Sequence, residues 1–585
     1  MEEHSRLPPP ADGIEFHFCR NVACANFGQP PSLGSKWAKS TTADTYRLSG
    51  GKSSTIVLIC KLCGTSVPVK SNAALAEELN RLWSPFAEQQ VCCPTSGCPG
   101  GSGATGKKRL IRRHGATKAG QARYRCLSCG ETFTLRKRVP RRSRRPGLDA
   151  QILTLLTNKV PMRRICEAAD VGPAVLYNQI DRCHELAVRF AARHERRLLS
   201  PEGAPARVYL AVDRQEHIFN WGSSLDRRNV VLRTVASSDN NTGYVFGAHL
   251  DFDPDLEPET AERQAILAGD YDRPYPFRKF ARVWLQQEYT DAFHTLRRLR
   301  KRQQGSGSMV ADLAQTYRDA DAAPNSTDAQ DAVDQRLPSL GMQVHSEYTL
   351  YAHFWFLARL LQHVEKVRVF MDLDTGMRAA CLGAFAQRVQ ARTIDVFFVR
   401  IRKDLTVSQK KMLKSAAEHR LRVKMQEMGS ADRGAAIQAV MEDRLREMIA
   451  VGDQGDRWLL HPFPDMSEPE KAVCHLTPHD GYDTGHLAAL YRKASLHSID
   501  KFFMQVRRRL SVLERPVRSA NAVRVWHGYA AYNPAVAARL LDLFRIVHNY
   551  VLIGQDGRTP AMRLGLASGP YRVQELLSLR DAGKE

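Results

Sequence analysis

Two kinds of side chain in this sequence are spaced for chemistry: paired cysteines near the start and single aspartates spread over the later part. Cys19-x4-Cys24 is followed after 35 residues by Cys60-x2-Cys63, and Cys93-x4-Cys98 after 27 residues by Cys126-x2-Cys129. Each pair puts two thiolates on a tight turn. Two such turns face to face make the closed four-sulfur tetrahedron that structural zinc prefers. Small, loop-rich segments of this kind need their metal to fold, so two structural Zn2+ ions are expected. Gly64 and Gly130 follow the second turn of each copy, which argues against chance pairing. Cys92 is an alternative to Cys93, but only Cys93 keeps the four-residue spacing. Redox catalysis by the CxxC pairs lacks the βαβ context it needs.

Asp213 in VYLAVDRQE and Asp372 in KVRVFMDLD lie at the ends of apolar runs, and Asp500 opens the helical stretch SIDKFFMQVRRR. Hard divalent ions take oxygen ligands, and two of them held by carboxylates from separate segments activate water and stabilise a leaving oxygen. Singly, each aspartate reads as a strand-end turn residue or a helix cap. Jointly, they could converge on a pair of Mg2+ or Mn2+ ions.

The elements needed to bring them together are legible in outline. VYLAVDRQE, RNVVLRTVASSDN and TGYVFGAHLDFD read as three adjacent antiparallel strands, with KVRVFMDLD and RTIDVFFVRIRKD as a fourth and fifth. Mostly helical stretches separate them at about 258–365 and 405–490. Ile499, Phe502, Phe503, Val506 and Leu510 form the buried stripe of the helix carrying Asp500. Upstream, MRRICEAAD, the turn Val171-Gly172 and PAVLYNQIDRC form a helix-turn-helix, with Pro173 in the first turn of its second helix. That arrangement buries Ile165, Ala168, Val175, Leu176 and Ile180 and leaves Asn178, Gln179 and Arg182 to face a DNA groove.

The chain has 585 residues and a net charge of +23 laid over an ordinary 43% hydrophobic content, so the charge belongs to a folded protein with a polyanionic partner. A disulfide-stapled miniprotein is excluded by length. A membrane partner would need a long apolar run or a basic amphipathic anchor, and neither is present in the sequence. The first residues, MEEHSRLPPPADG, are acidic and proline-rich, unlike a secretory signal. A reducing, cytoplasmic and nucleoid-associated location is therefore expected. From Lys107 to Arg145 the basic residues face only Glu131. Within that run Arg136, Lys137, Arg138, Arg141 and Arg142 are candidate phosphate contacts, as are Arg507 and Arg508 further on. His217 and Trp221, just beyond Asp213, read as ordinary packing.

Taken together, these motifs resemble the DDE/D transposases of bacterial insertion sequences. The resemblance covers roughly 207–567 and implies a multidomain α/β protein. A ribonuclease H-like mixed sheet with helical insertions would follow two zinc ribbons (1–70 and 71–146) and a helix-turn-helix (147–200), with a tail at 568–585. It implies that Asp213, Asp372 and Asp500 are the catalytic acids. Asp374 is the alternative to Asp372, Glu514 is a runner-up to Asp500, and aspartate stands where glutamate is commoner. The ending is also similar, an asparagine-containing helix followed by Thr559, Pro560, Ala561, Gly565 and Leu566. The expected activity is binding of an element's terminal repeats with metal-dependent strand cleavage and strand transfer, by a homo-oligomer on double-stranded DNA. Two alternatives remain: a DNA-binding regulator derived from a transposase but lacking cleavage, and a nuclease that cuts without joining.

Overall fold

The computed structural model describes residues 7–31, 45–50, 56–87, 93, 110–116, 122–134, 145, 147–219, 221, 230–290, 308–322, 337–374, 376–402, 405–452, 455–514, 517–518, 525–526 and 533–578. Its front end repeats one small unit. β1 (Tyr46–Ser49), β2 (Val57–Cys60) and β3 (Ser66–Pro68) form an antiparallel sheet, and so do β4 (Ile111–Ala116), β5 (Ala122–Cys126) and β6 (Thr132–Thr134). Helix α1 (Asn72–Trp83) follows the first unit, started by the Ser71 hydroxyl accepting from the Ala74 N–H at 3.1 Å.

Helices α2 (Leu148–Leu156), α3 (Met162–Ala169) and α4 (Pro173–Glu195) come next. The α3–α4 connection is the tight turn expected from Val171-Gly172, and Ile165, Leu176 and Ile180 are buried as the pattern requires. Ala168 and Val175 are not: both are exposed, and Ala169 fills the inner position instead. The reason is local. Asp170 adopts a left-handed conformation (φ 51°), which ends α3 at Ala169 and sets the helical phase against α4.

The body is a mixed α/β unit built on an eight-stranded sheet. In chain order its strands are β7 (Arg207–Phe219), β8 (Val230–Asp239), β9 (Val245–Leu250), β12 (Lys366–Asp372), β13 (Ile394–Arg402), β14 (Ile449–Val451), β15 (Asp456–Leu460) and β16 (Glu470–His475); β10 (Phe252–Asp253) and β11 (Met342–Gln343) pair separately. The spatial order is β14-β15-β16-β13-β12-β7-β8-β9. β7, β8 and β9 are an antiparallel meander, while β12 lies parallel to β7 and β13 parallel to β12. β12 and β13 are near-continuous apolar runs because helices cover both faces of the sheet at its centre.

One face carries the Ser346–Leu360 and Met377–Ala384 helices, and the other carries the His497–Arg509 helix, which packs on β7 and β8. The stretch read as helical over 405–490 is only partly so. The Val407–Glu427 and Arg433–Arg446 helices are followed by β14, β15 and β16, which extend the main sheet from β13. These strands are three to six residues long and broken by charged residues, too short to show a period of two. The C-terminal motif is a structural device. Asn549 on the Pro534–Tyr550 helix accepts from the Val245 N–H at 2.9 Å and donates to its carbonyl at 2.8 Å, pairing with β9 as a strand would. Thr559, Pro560 and Gly565 start and stop the Pro560–Leu564 helix.

Candidate functional site

The cysteines of the first ribbon come together as their spacing predicts. The sulfurs of Cys19, Cys24, Cys60 and Cys63 lie within 4.8 Å of one another, with Cys19–Cys63 at 3.4 Å and Cys24–Cys60 at 3.8 Å. A tetrahedron with metal–sulfur bonds of about 2.3 Å has edges of about 3.8 Å, so one zinc ion fits this group. The turn that places the second pair is closed by the Gly64 N–H donating to the Cys60 carbonyl at 2.9 Å, with Gly64 at φ 75°. Around the sulfurs stand the Asn26 amide, 3.3 Å from Cys60, and the Thr65 hydroxyl, 3.2 Å from Cys63. Burial works to raise both the Cys19 and Cys63 thiols; at Cys63 it is outweighed by hydrogen bonds with Thr65, Cys19 and Cys24, which hold that thiol below its usual value.

The second ribbon repeats the turn. The Gly130 N–H donates to the Cys126 carbonyl at 2.9 Å with Gly130 at φ 78°, and the Cys126 N–H bonds the Glu131 carbonyl as the Cys60 N–H bonds that of Thr65. Cys93, Cys126 and Cys129 form a second group within 4.8 Å, Cys93 standing 3.4 Å from Cys129. Cys93 is thus among the described residues that join the group. Cys98, its expected fourth member, lies outside the described residues, as do Cys92, Arg136, Lys137, Arg138, Arg141 and Arg142.

The carboxylates are positioned by the sheet register. β7 and β12 pair in parallel from Arg207↔Lys366 to Val212↔Met371, and the same register continued by one residue sets Asp213 beside Asp372. Neighbouring strands are about 4.8 Å apart, and residues in register point to the same face. Asp213 does not end its strand as expected. β7 runs on to Phe219, paired only with β8 beyond this point, so Asp213 sits where β12 stops and β7 continues.

The face they share is identified by alternation along β7. Ser238, opposite Ala211, has its hydroxyl 2.6 Å from that of Ser498, and Gln215 accepts from Arg507 at 2.7 Å. Asp213 lies between Ala211 and Gln215 on that face, under the helix whose first turn carries Asp500. All three aspartates are half-buried. Among the described residues the cysteine groups are the ones with three or more ligand atoms mutually within 4.8 Å, so the three carboxylates are not gathered that closely.

Asp374 is placed differently: it pairs with Arg214, which alternates to the opposite face of β7. Arg400, at the same strand ends, is within electrostatic reach of both Asp372 and Asp374. Against the effect of burial, Asp312 at 2.7 Å, with Asp372 and Asp374 nearby, raises this guanidinium above its usual value. Glu514 lies beyond the His497–Arg509 helix and accepts from Lys159 at 2.6 Å. Neither acid is thus in the position Asp372 or Asp500 occupies.

Of the expected groove-facing residues, Asn178 is exposed and Gln179 half-buried. Arg182 turns inward to Asp149 at 2.7 Å, because α2 packs against that side of α4. Arg507 is drawn onto β7 by Gln215, and Arg508 is exposed. His217 is buried against Thr234, its pKa lowered to about 3 by burial and Arg507; Trp221 packs on Phe252 and Tyr289. Sequence reasoning missed Tyr177, an exposed aromatic beside Asn178. Its signal was an aromatic at a helix position that the apolar pattern leaves outside. Comparison of the chain with protein-family models and with curated proteins gives no match in either case.

Proposed function

We propose that this chain is a DDE/D-type transposase with a ribonuclease H-like catalytic unit, binding the ends of a mobile DNA element and cutting and joining strands there. The observation that carries the reading is the parallel register of β7 and β12, which, continued one residue past Val212↔Met371, sets Asp213 beside Asp372, under the helix bearing Asp500. The sheet supports the fold part of the proposal, with a three-stranded antiparallel meander, one further strand laid parallel on its first member and another laid parallel on that.

The chemistry follows from the donors. Hard Mg2+ or Mn2+ ions bound by these carboxylates would supply an activated attacking oxygen and neutralise charge at the phosphorus. Asp213 and Asp372 would provide oxygen ligands from a rigid sheet, and Asp500 would join them from the covering helix. Arg214 engages Asp374 and keeps it off this face. Exposed Asn178 and Tyr177 at the start of α4 are offered to base edges, while Arg112, Arg113, Arg123 and Arg125 on the second ribbon are offered to phosphates. Two such DNA ends must be held at once for joining, which calls for a homo-oligomer on DNA.

A second reading, a DNA-binding regulator that no longer cuts, draws on the separation of the three carboxylates. The test incubates full-length protein and Mg2+ with a labelled duplex from the DNA flanking its gene and a second, unlabelled duplex. Products joined to the second duplex are expected. Cleavage without joining makes the protein a nuclease, and sequence-specific binding without cleavage makes it the regulator.

A further inference from the structure

The Val407–Glu427 helix is poorly explained by packing. Only Ala417 and Leu421 are buried along its 21 residues. It carries six lysines and arginines against two glutamates. Lys411, Lys414, Glu418 and Arg422 follow one another at intervals of three and four, so they line one side of the helix over about 17 Å. Lys411, Lys414 and Arg422 are exposed. Glu418, the acid among them, already accepts from Arg433 at 2.8 Å, and Arg433, Lys414 and Arg422 together keep its carboxyl below the usual range. The exposed Met412 lies about a quarter turn away from this row.

The helix is fixed in place. A capping box at Thr406 starts it five residues after β13, at the sheet end where Asp213 and Asp372 lie. Arg420 donates to the Pro462 carbonyl at 3.2 Å, and Lys424 pairs with Asp443 of the Arg433–Arg446 helix at 2.7 Å. That second helix is tied by Gln438 to the Gly485 carbonyl at 2.8 Å, on the Thr484–Lys493 helix that leads into the helix of Asp500.

The geometry points to a second double-stranded DNA surface, the Lys411–Lys414–Arg422 row, which holds the phosphate backbone of a duplex beside the carboxylate face, separate from the helix-turn-helix and the second ribbon. The choice of DNA as the polyanion rests on the function proposed above. A row of this kind contacts phosphates without reading bases, so its signature is electrostatic and independent of sequence.

The experiment is fluorescence anisotropy of full-length protein with a 40-base-pair duplex of arbitrary sequence, between 50 and 200 mM KCl, with no divalent ion added. The variants are Lys411→Ala/Lys414→Ala/Arg422→Ala and its charge-keeping counterpart Lys411→Arg/Lys414→Arg/Arg422→Lys. The alanine triple should bind about tenfold more weakly, with a log–log salt slope shallower by about 2 to 3, while the charge-keeping triple binds as wild type. Unchanged affinity and slope in the alanine triple would overturn the proposal. So would an equal loss in both triples, or a changed oligomeric state by light scattering with DNA binding intact, which would make the row a contact between copies. Because nothing is cut in this assay, loss of the catalytic reading leaves its outcome unaffected, and the two can fail separately.

Discussion

In the first ribbon the cysteine turns stand beside Phe16, Phe18 and Phe27, which belong to the same buried core as the main sheet, whereas in the second they stand beside Arg112, Arg113, Arg123 and Arg125, all exposed. The first is tied down at several points. Arg20 is buried against the Phe16 carbonyl and the Phe18 ring, close to Gly383 of the Met377–Ala384 helix, and Gln390 donates to the Phe27 carbonyl at 2.9 Å. Helix α1, which follows directly, is locked by Lys70–Glu347 and by Arg282 bonding Glu78, Glu77 and Asp253. Among the described residues 110–134 of the second ribbon, none joins that core. The same cysteine turn serves in both places, and what surrounds it decides whether it anchors a fold or presents a charged surface.

The largest way to break this comparison is to remove one ligand from each ribbon. Wild-type protein is expected to hold two zinc ions per chain by elemental analysis, and Cys60→Ser and Cys126→Ser one each. Cys60→Ser should bring down the main thermal transition or leave the protein insoluble. Cys126→Ser should keep that transition and lose DNA affinity. Similar melting curves for the two would dissolve the distinction.

The α1 lock comes next. Burial favours the neutral form of Glu78, but Arg81 and Arg282 outweigh it and hold the carboxyl at about 2. Glu78→Gln takes the carboxylate from Arg81 while Arg282 keeps Glu77 and Asp253, and should cost about 1.5–3 kcal/mol in denaturant unfolding, the range for a lost hydrogen bond to a charged group. The sign of the pH effect follows. With a folded value near 2 and an unfolded one of about 4.3, the stabilisation is complete above about pH 4.3 and is lost as pH falls toward 2. Wild type should therefore lose stability across that window more steeply than the glutamine variant.

On the second ribbon, Arg112 and Arg125 face each other across β4 and β5. Arg112→Ala/Arg125→Ala should leave the melting temperature unchanged and flatten the salt dependence of duplex binding by about 1.8 in log–log slope, the release expected for two phosphate contacts. The smallest contrast uses two glycines with similar backbone. Gly28 (φ 73°) and Gly115 (φ 76°) both suffer from an added side chain, by about 1–2 kcal/mol. A Cβ at Gly28 also meets Gln390 at 2.8 Å, whereas one at Gly115 meets nothing within 4 Å. Gly28→Ala should therefore lower the main transition and Gly115→Ala should not.

The parts of this molecule legible in its sequence are those set by covalent spacing or by long apolar runs. The cysteine pairs declare their turns, and the apolar runs VYLAV and KVRVFM declare buried central strands, so Asp213 and Asp372, which follow them, could be singled out. The docking of the first ribbon was not legible, although the F-x-F before Cys19 was a signal, since a free-standing ribbon has little need of such rings. Inward turns of Arg182 and Arg507 depend on Asp149 and Gln215, each distant in the chain, and periodicity cannot report a partner. β14 to β16 were hidden because a three-residue strand is stabilised by the sheet it joins, not by its own composition.

The most direct test of the central claim is the rate of metal-dependent strand cleavage in Asp372→Asn against Asp374→Asn, with Asp213→Asn alongside. The register predicts that Asp213→Asn and Asp372→Asn each lose cleavage by a thousandfold or more, on the order expected when a ligand to the reacting centre is removed, while Asp374→Asn keeps it within about tenfold. Cleavage that survives Asp372→Asn but vanishes in Asp374→Asn would contradict the paired-aspartate site.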